Sequence, residues 1–324
     1  DISLQITIPN EFQKMCPINI GYTAGIEADR VSPVWLEKGN AMDKILVVSN
    51  HAKKTYEETT AVLQDGNHYK LDTPIEVVWE NTPTTETEDI LGFQPRHDFN
   101  FLSVSQMGPR KNLENTIKWF VEEFIDQDVG LILKTSTKGN SHMDQEYTSK
   151  VLKSIVASYP DRKCSVSLLH GDLSEGQMKA LYEHDKVKAL VNIAHGEVFG
   201  LPLFEAARSA LPIITVGWSG QMDFLSDNGK EMFLKVKHQI GPVSSHSIWK
   251  GVIDEGANWA YADQGSYKMA LRQMHKNYAD FMNQAEELQA HVDTNFGDEK
   301  LYEGFCSHFC NPWADLEQEE VDLG

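Results

Sequence analysis

Apolar residues in this chain fall into short β-branched runs separated by stretches of helical period. Residues 3–8 and 18–23 are extended apolar runs, 44–49 (KILVVS) read as a buried strand, and 75–79 as one more. Between the last two, residues 52–63 (AKKTYEETTAVL) have helical period, with Ser49 or Asn50 placed as N-cap. Strands alternating with helices predict a parallel sheet.

Residues 80–98 (ENTPTTETEDILGFQPRHD) are rich in Thr, Pro and acid, the composition of an interdomain linker. A second series follows: strand 99–105, helix 113–124, strand 129–135, helix 145–159 and strand 165–170. Ser174 and Gln177 form a capping box for a helix running to about Asp185. A strand is predicted at 189–194. The next helix starts at Pro202, carries Leu203, Phe204, Ala206, Ala207 and Ala210 on one face, and stops at Pro212. Residues 213–216 and 231–237 read as strands, 266–291 as one long helix, and 300–309 as a last helix. No repeat of 20–50 residues is visible. The pattern predicts two doubly wound α/β domains in sequence, with a cleft between them.

With 324 residues, 41% of them hydrophobic and 24% charged, the composition is that of a soluble globular protein. No apolar run approaches a membrane span and no secretory signal opens the sequence, so a cytoplasmic location is expected. The net charge of −19 argues against a nucleic-acid backbone or an anionic membrane as partner, but leaves room for a local basic site. Asp315, Glu317, Glu319, Glu320 and Asp322 predict a solvated acidic tail. Cys16, Cys164, Cys306 and Cys310 are too few for a disulfide framework, in keeping with a reducing compartment. In FCSHFC, Cys306, His308 and Cys310 lie close together. No second ligand cluster is visible, so the expectation is two buried thiols on one helix face and no metal.

Chemistry concentrates in residues 189–226. Glu197 lies in the loop after a strand and Glu205 in the expected first turn of the next helix, with seven residues between them. Ligands of open α/β sheets bind outside the carboxyl ends of the strands, where both would sit. Singly, each is also what a solvated loop or first-turn glutamate would be. Gly196 and Gly200 flank Glu197 and permit close backbone approach to a ligand. In SQMGPRKNLENT, residues 105–116, Arg110 and Lys111 precede a helix with Asn112 as its N-cap. Two cations and free helix amides make an anion site, a solvated basic pair being the plainer alternative. The P-loop pattern is absent. Two carboxylates beside a phosphate site suit a sugar nucleotide: one takes the ribose hydroxyls, the other those of the sugar. The cations take the diphosphate and stabilise it as it leaves. Glu27 and Arg30 follow a strand end, facing the same cleft or forming a surface ion pair. In TVGWSGQMDFL, Gly217 and Gly220 permit tight geometry, Trp218 packs, and Asp223 caps the turn after it. Among the histidines only His195 lies beside Glu197. No GxGxxG follows a strand, which argues against a dinucleotide-dependent oxidoreductase.

HGEVFGLPLFEAARSALPIIT resembles the acidic E-x7-E segment of retaining glycosyltransferases of GT-B fold, family 4 (glycosyl transferases group 1). MGPRKNLENTIKWF resembles that family's donor-phosphate segment and TVGWSGQMDFL its loop after the acidic helix. NIGYTAGIEADRVSPVWLEKGNAMDKILVVSNHAKK is similar to the later part of its N-terminal domain, and most of residues 1–310 are covered. The resemblance implies two Rossmann-like, doubly wound α/β domains (GT-B-like). Residues 1–93 would be a shortened acceptor-side domain, either a fragment or a natural variant, and 94–298 the donor-binding domain. Residues 299–324 would be a helix crossing back, plus the tail. By motif position Glu197 contacts the donor sugar and Glu205 the ribose. Lys111 and Arg110 hold phosphate, and the amides around Phe199, Gly200 and Leu201 reach sugar or phosphate. Gln106 and Gly108 join the donor-binding residues, Gln106 standing where many members carry arginine. The histidine that many members place near residues 23–27 is lacking. The implied chemistry is transfer from a UDP- or GDP-sugar to a glycan, lipid or small-molecule hydroxyl with retention, without cofactor, metal, nucleic acid or integral membrane segment. The alternative is a non-catalytic or truncated nucleotide-sugar-binding relative.

Overall fold

The computed structural model describes residues 1–62 and 68–309. Strands β1 (Ile2–Ile6), β2 (Ile18–Thr23), β3 (Lys44–Val47) and β4 (Ile75–Val77) form a parallel sheet in that order. Helix α1 (Pro33–Gly39) joins β2 to β3 and buries Trp35 and Leu36. Its start is a Ser32–Pro33 pair, a helix-opening signal that the apolar pattern alone overlooks. Helix α2 (Asn50–Glu58) is capped by Ser49, whose hydroxyl accepts from Ala52 N at 3.1 Å. It ends earlier than periodicity predicts. The Thr59 hydroxyl donates to Thr55 O at 2.6 Å and accepts from Val31 N at 3.1 Å, and Ala61–Val62 leave as a short strand. Leu63, the predicted end of that helix, lies outside the described residues.

The second sheet is built from β5 (Asn100–Val104), β6 (Gly130–Lys134), β7 (Ser165–Leu169), β8 (Val187–Asn192), β9 (Ile213–Val216) and β10 (Leu234–Val236). Helices α3 (Leu113–Phe124), α4 (His142–Val156), α5 (Glu175–Tyr182), α6 (Leu201–Arg208) and α7 (Met222–Leu225) connect them. The spatial order is β10-β9-β8-β5-β6-β7, all parallel. The chain starts in mid-sheet, winds out to β7, then returns to β8 on the other side of β5. The switch point therefore falls between β5 and β8, and the crevice at their carboxyl ends is where such sheets take ligands. The middle strands read as continuous apolar runs because helices cover both faces. On α3, Leu113, Ile117, Phe120, Val121 and Phe124 point into one core at helical spacing.

Three predictions change at the C-terminal end. The strand over 231–237 shortens to β10, since Lys230–Glu231 turns back to pair with Ser226–Asp227. An antiparallel hairpin follows, β11 (His238–Pro242) with β12 (Asn258–Ala262), which the sequence did not announce. The long helix is two, α8 (Gln264–Lys276) and α9 (Tyr278–Asn295), broken at Asn277. The break lets Tyr267, Ala270, Leu271 and Met274 of α8 pack in the α3 core while Leu288 and Val292 of α9 pack in another. Helix α10 (Asp298–Ser307) sets Phe305 edge-on to Tyr22 of β2, ring centroids 6.2 Å apart. Cys306 is exposed, contrary to the expected buried thiol. Cys310 and the acidic run lie outside the described residues. Among the described residues no helix is long and apolar enough to cross a membrane.

Candidate functional site

Two loops meet at the switch point, one after β5 and one after β8. The first makes a 3-10 turn, Pro109–Lys111, and reaches α3 through Asn112 in the left-handed region (φ 53°). Asn112 occupies the expected N-cap position but, contrary to expectation, its side chain caps nothing; its Nδ2 donates instead to Ile193 O at 3.1 Å in the second loop. His195 N donates to Arg110 O at 2.8 Å, so the loops are stitched at main-chain level too.

That stitching brings three charged residues together. Lys111 Nζ lies 2.7 Å from both carboxylate oxygens of Glu197. Arg110 Nη1 donates to Glu197 Oε2 at 3.0 Å and to Gly196 O at 2.7 Å. Asn192 Nδ2 adds a bond of 3.0 Å to Glu197 Oε1. Glu197 is only 5% exposed. Burial alone would push its carboxyl up, but Lys111 and Arg110 outweigh that and hold it below the ordinary carboxylate range. The loop after β9 supports the same turn. Glu197 O accepts from Ser219 Oγ at 2.6 Å and from Gly220 N at 2.8 Å. A Cβ on Gly220 would lie 1.6 Å from Val198 O, so only glycine fits.

Glu205 departs from expectation. Gly200, left-handed at φ 97°, sets the helix start at Leu201, which makes Glu205 the fifth residue of α6 rather than a first-turn residue. The cations do not reach for it. Its carboxylate accepts the Tyr182 hydroxyl at 2.7 Å. Burial pushes its proton affinity up, and the Tyr182 bond offsets part of that. It lines a cavity of about 330 Å³ with Thr82–Thr85, Leu173, Tyr182 and Arg208. Glu205 is four residue steps along the helix from Leu201, a rise of about 6 Å.

The remaining predicted residues divide. Phe199 is core, its ring packed on Phe204 and Phe224 at 5.2 and 5.1 Å. Leu201 stands half-exposed at the start of α6. Gln106 turns to Thr137 O at 3.3 Å, and Gly108 faces open space. His195 is held away from the carboxylates: its Nδ1 donates to Ala260 O at 2.7 Å and its ring packs on Trp259 and Tyr261. It tethers the hairpin to the site loop.

The first domain contributes more than the sequence suggests. Glu27 pairs across the cleft with Arg110 Nη2 at 3.0 Å rather than with Arg30, which is exposed. Asp223 does not cap its own turn. Its Oδ2 accepts from Asn50 N at 2.8 Å, Asn50 Nδ2 at 3.0 Å and Trp79 Nε1 at 2.8 Å, all from the first domain. His51 donates to Ala28 O at 3.0 Å and meets Trp218 edge-on. Asp29 accepts from Asn258 N and Nδ2 at 2.7 and 2.8 Å, binding the hairpin to the first domain. These partners are far apart in sequence, and no local pattern marks them.

No protein-family model matches the chain, and no curated protein matches it in sequence. Solved structures do match. Sucrose-phosphate synthase from Thermosynechococcus elongatus superposes with a TM-score of 0.63 at 13% identity, covering 92% of this chain and 68% of that one. The S. aureus protein TarM, solved as a mutant with fondaparinux, alpha-GlcNAc-glycerol and UDP, gives 0.58 at 12% identity, with 91% and 51% covered. The pneumococcal O-GlcNAc transferase GtfA, solved with UDP and GlcNAc, gives 0.55 at 13% identity, with 90% and 52% covered. The chain thus spans about half the length of the last two. With a parallel α/β sheet in each half, doubly wound in the second, and a charged crevice at that switch point, the chain has the fold of these proteins, the GT-B fold.

Proposed function

We propose that the chain binds a nucleoside-diphosphate sugar at the β5/β8 switch point and transfers the sugar to an acceptor hydroxyl. The observation that carries this reading is the convergence of Arg110 and Lys111 on Glu197, at the end of β8 and just before α6. A diphosphate at the start of α6 would meet main-chain amides of Phe199 to Leu201 and both cations. Glu205 stands a turn further along, where it would take the ribose hydroxyls, and the cavity beyond it would take the base. Glu197 would accept hydroxyls of the sugar.

In transfer the bond between the anomeric carbon and the diphosphate oxygen breaks, and its electron pair stays on that oxygen. Arg110 and Lys111 stabilise the charge that develops there. The acceptor oxygen bonds to the anomeric carbon and its proton passes to the departing diphosphate. Glu197 is committed to two cations and makes a poor nucleophile. A double displacement through Glu197 is therefore disfavoured; retention of configuration rests on the family resemblance and requires the acceptor to attack from the face the diphosphate leaves. We take residues 1–93 as acceptor-side and 94–298 as donor-side, with a glycan, lipid or small-molecule acceptor. TarM and GtfA carry UDP, so a UDP-sugar is the first donor to test, a GDP-sugar the second.

Calorimetric titration with UDP, GDP and their common sugars should show binding that Lys111→Ala and Glu205→Ala weaken. Absence of nucleotide binding by the unaltered protein would refute the donor site. The cations are already neutralised by Glu197 and Glu27, which favours one second reading, a nucleotide-sugar-binding protein without transfer. Tight binding with no slow hydrolysis of the sugar nucleotide would select it.

A further inference from the structure

We propose that Arg208 is a positioning residue that makes the interdomain linker one wall of the nucleoside cavity, an inference that rests on the donor reading above. Arg208 lies three residues beyond Glu205 on α6, on the same side of the helix, and lines the same cavity. Its guanidinium is largely buried and has four acceptors. Nη1 donates to Thr82 O at 2.6 Å, Asp298 Oδ1 at 3.1 Å and Asn81 Oδ1 at 3.3 Å, and Nη2 to Thr84 Oγ1 at 2.7 Å. Asp298 at the start of α10 closes the group by accepting from Asn81 Nδ2 and the Thr84 hydroxyl, both at 3.2 Å. From the other side, Lys179 of α5 donates to Thr85 O at 2.8 Å.

A Thr- and Pro-rich segment with no ladder of its own would otherwise sample many conformations. Here a rigid fork with five donors fixes it, a task a lysine cannot perform. The fixed segment lies in the span between β4 and β5 that joins the two sheets. It forms part of the cavity that Glu205 lines. Leu173, Met178 and Pro83 give the space apolar wall, while Glu175, Lys179 and Asp293 add charge to its rim alongside Glu205. That chemistry suits a flat base against the apolar wall and a ribose diol at Glu205. A nucleoside seated there would touch that segment directly.

The test compares two probes, UDP and inorganic pyrophosphate, on the full chain. Pyrophosphate reports the Arg110–Lys111 site alone, whereas UDP needs the cavity as well. Arg208→Gln is expected to weaken UDP about tenfold and leave pyrophosphate within about twofold, with Arg208→Lys no better than Arg208→Gln. Equal loss of both probes would assign Arg208 to the scaffold and overturn the proposal, as would unchanged UDP affinity. If Arg208→Gln does not fold, Thr84→Val removes one of the acceptors without moving a charge. It should weaken UDP by a few-fold and spare pyrophosphate, and equal affinity for UDP would refute the wall. Failure of the unaltered protein to bind either probe would strike the donor reading itself, not the role of Arg208 within it.

Discussion

The guanidinium of Arg110 bridges the two domains, with Nη1 3.0 Å from Glu197 and Nη2 3.0 Å from Glu27. With Lys111 also on Glu197, two cations meet two carboxylates and the crevice is formally neutral. A diphosphate bound there as proposed would have to displace one carboxylate. Glu27 is the one to yield, since its side chain is 21% exposed against 7% for Glu197 and rehydrates at lower cost. Glu27→Gln should therefore tighten pyrophosphate by roughly threefold, the worth of a partly exposed ion pair. Calorimetry at low salt reads this. Unchanged or weaker affinity would mean that Glu27 does not compete for Arg110.

Lys111→Met leaves Glu197 buried with one cation fewer. Breaking a buried pair costs about 3–5 kcal/mol, and Arg110 and Asn192 should keep the loss near the lower figure. The pH dependence follows from the depressed carboxyl of Glu197. Its folded value lies below its unfolded one, so the ion pair stabilises the fold above the ordinary glutamate range. That contribution is lost as pH falls through the folded value. Thermal unfolding followed across the acid range should show the unaltered protein losing stability on acidification, and Lys111→Met losing less. Parallel curves for the two proteins would count against the pairing.

The parts of the site legible in the sequence are those set by topology. Buried strands such as β5, β8 and β9 read as apolar runs, and in a doubly wound sheet the loops after two of them must meet. Topology alone thus brings Arg110, Lys111 and Glu197 together. Glu205 was displaced because one backbone angle at Gly200 moves the helix start, and its partner Tyr182 lies on another helix. The break at Asn277 carries neither proline nor glycine, so the polar face of α8 and α9 conceals it. Arg208, Asp223 and Glu27 find their partners across the domain boundary, where periodicity and spacing carry no information.

Tyr182 tunes Glu205. Burial raises the folded value of that carboxyl above its unfolded one, so its ionisation costs stability as pH rises through the interval between them. The Tyr182 hydroxyl favours the ionised form and narrows the interval. If the ribose is held by the carboxylate, UDP affinity should fall as acid protonates Glu205. In Tyr182→Phe the midpoint of that fall should move to higher pH, with pyrophosphate affinity unmoved. A midpoint that stays in place would separate Tyr182 from the ligand.

Two glycines near the site should respond to alanine in opposite ways. At Gly220 the added Cβ would sit 1.6 Å from Val198 O and 2.4 Å from Val198 C, both backbone atoms that cannot swing aside. The loop must move, and with it the 2.8 Å bond from Gly220 N to Glu197 O that helps hold the carboxylate in place. Gly220→Ala should cost on the order of 3 kcal/mol or more and abolish pyrophosphate binding. At Gly108 nothing lies within 4 Å of the added atom and the backbone is extended, with φ −175°. Gly108→Ala should change the denaturation midpoint by no more than about 0.5 kcal/mol equivalent. UDP titration then decides whether Gly108 belongs to the donor site. If the donor phosphates pack against that backbone, alanine weakens UDP while stability holds; if affinity also holds, the phosphates lie entirely on the Arg110–Lys111 side of the turn.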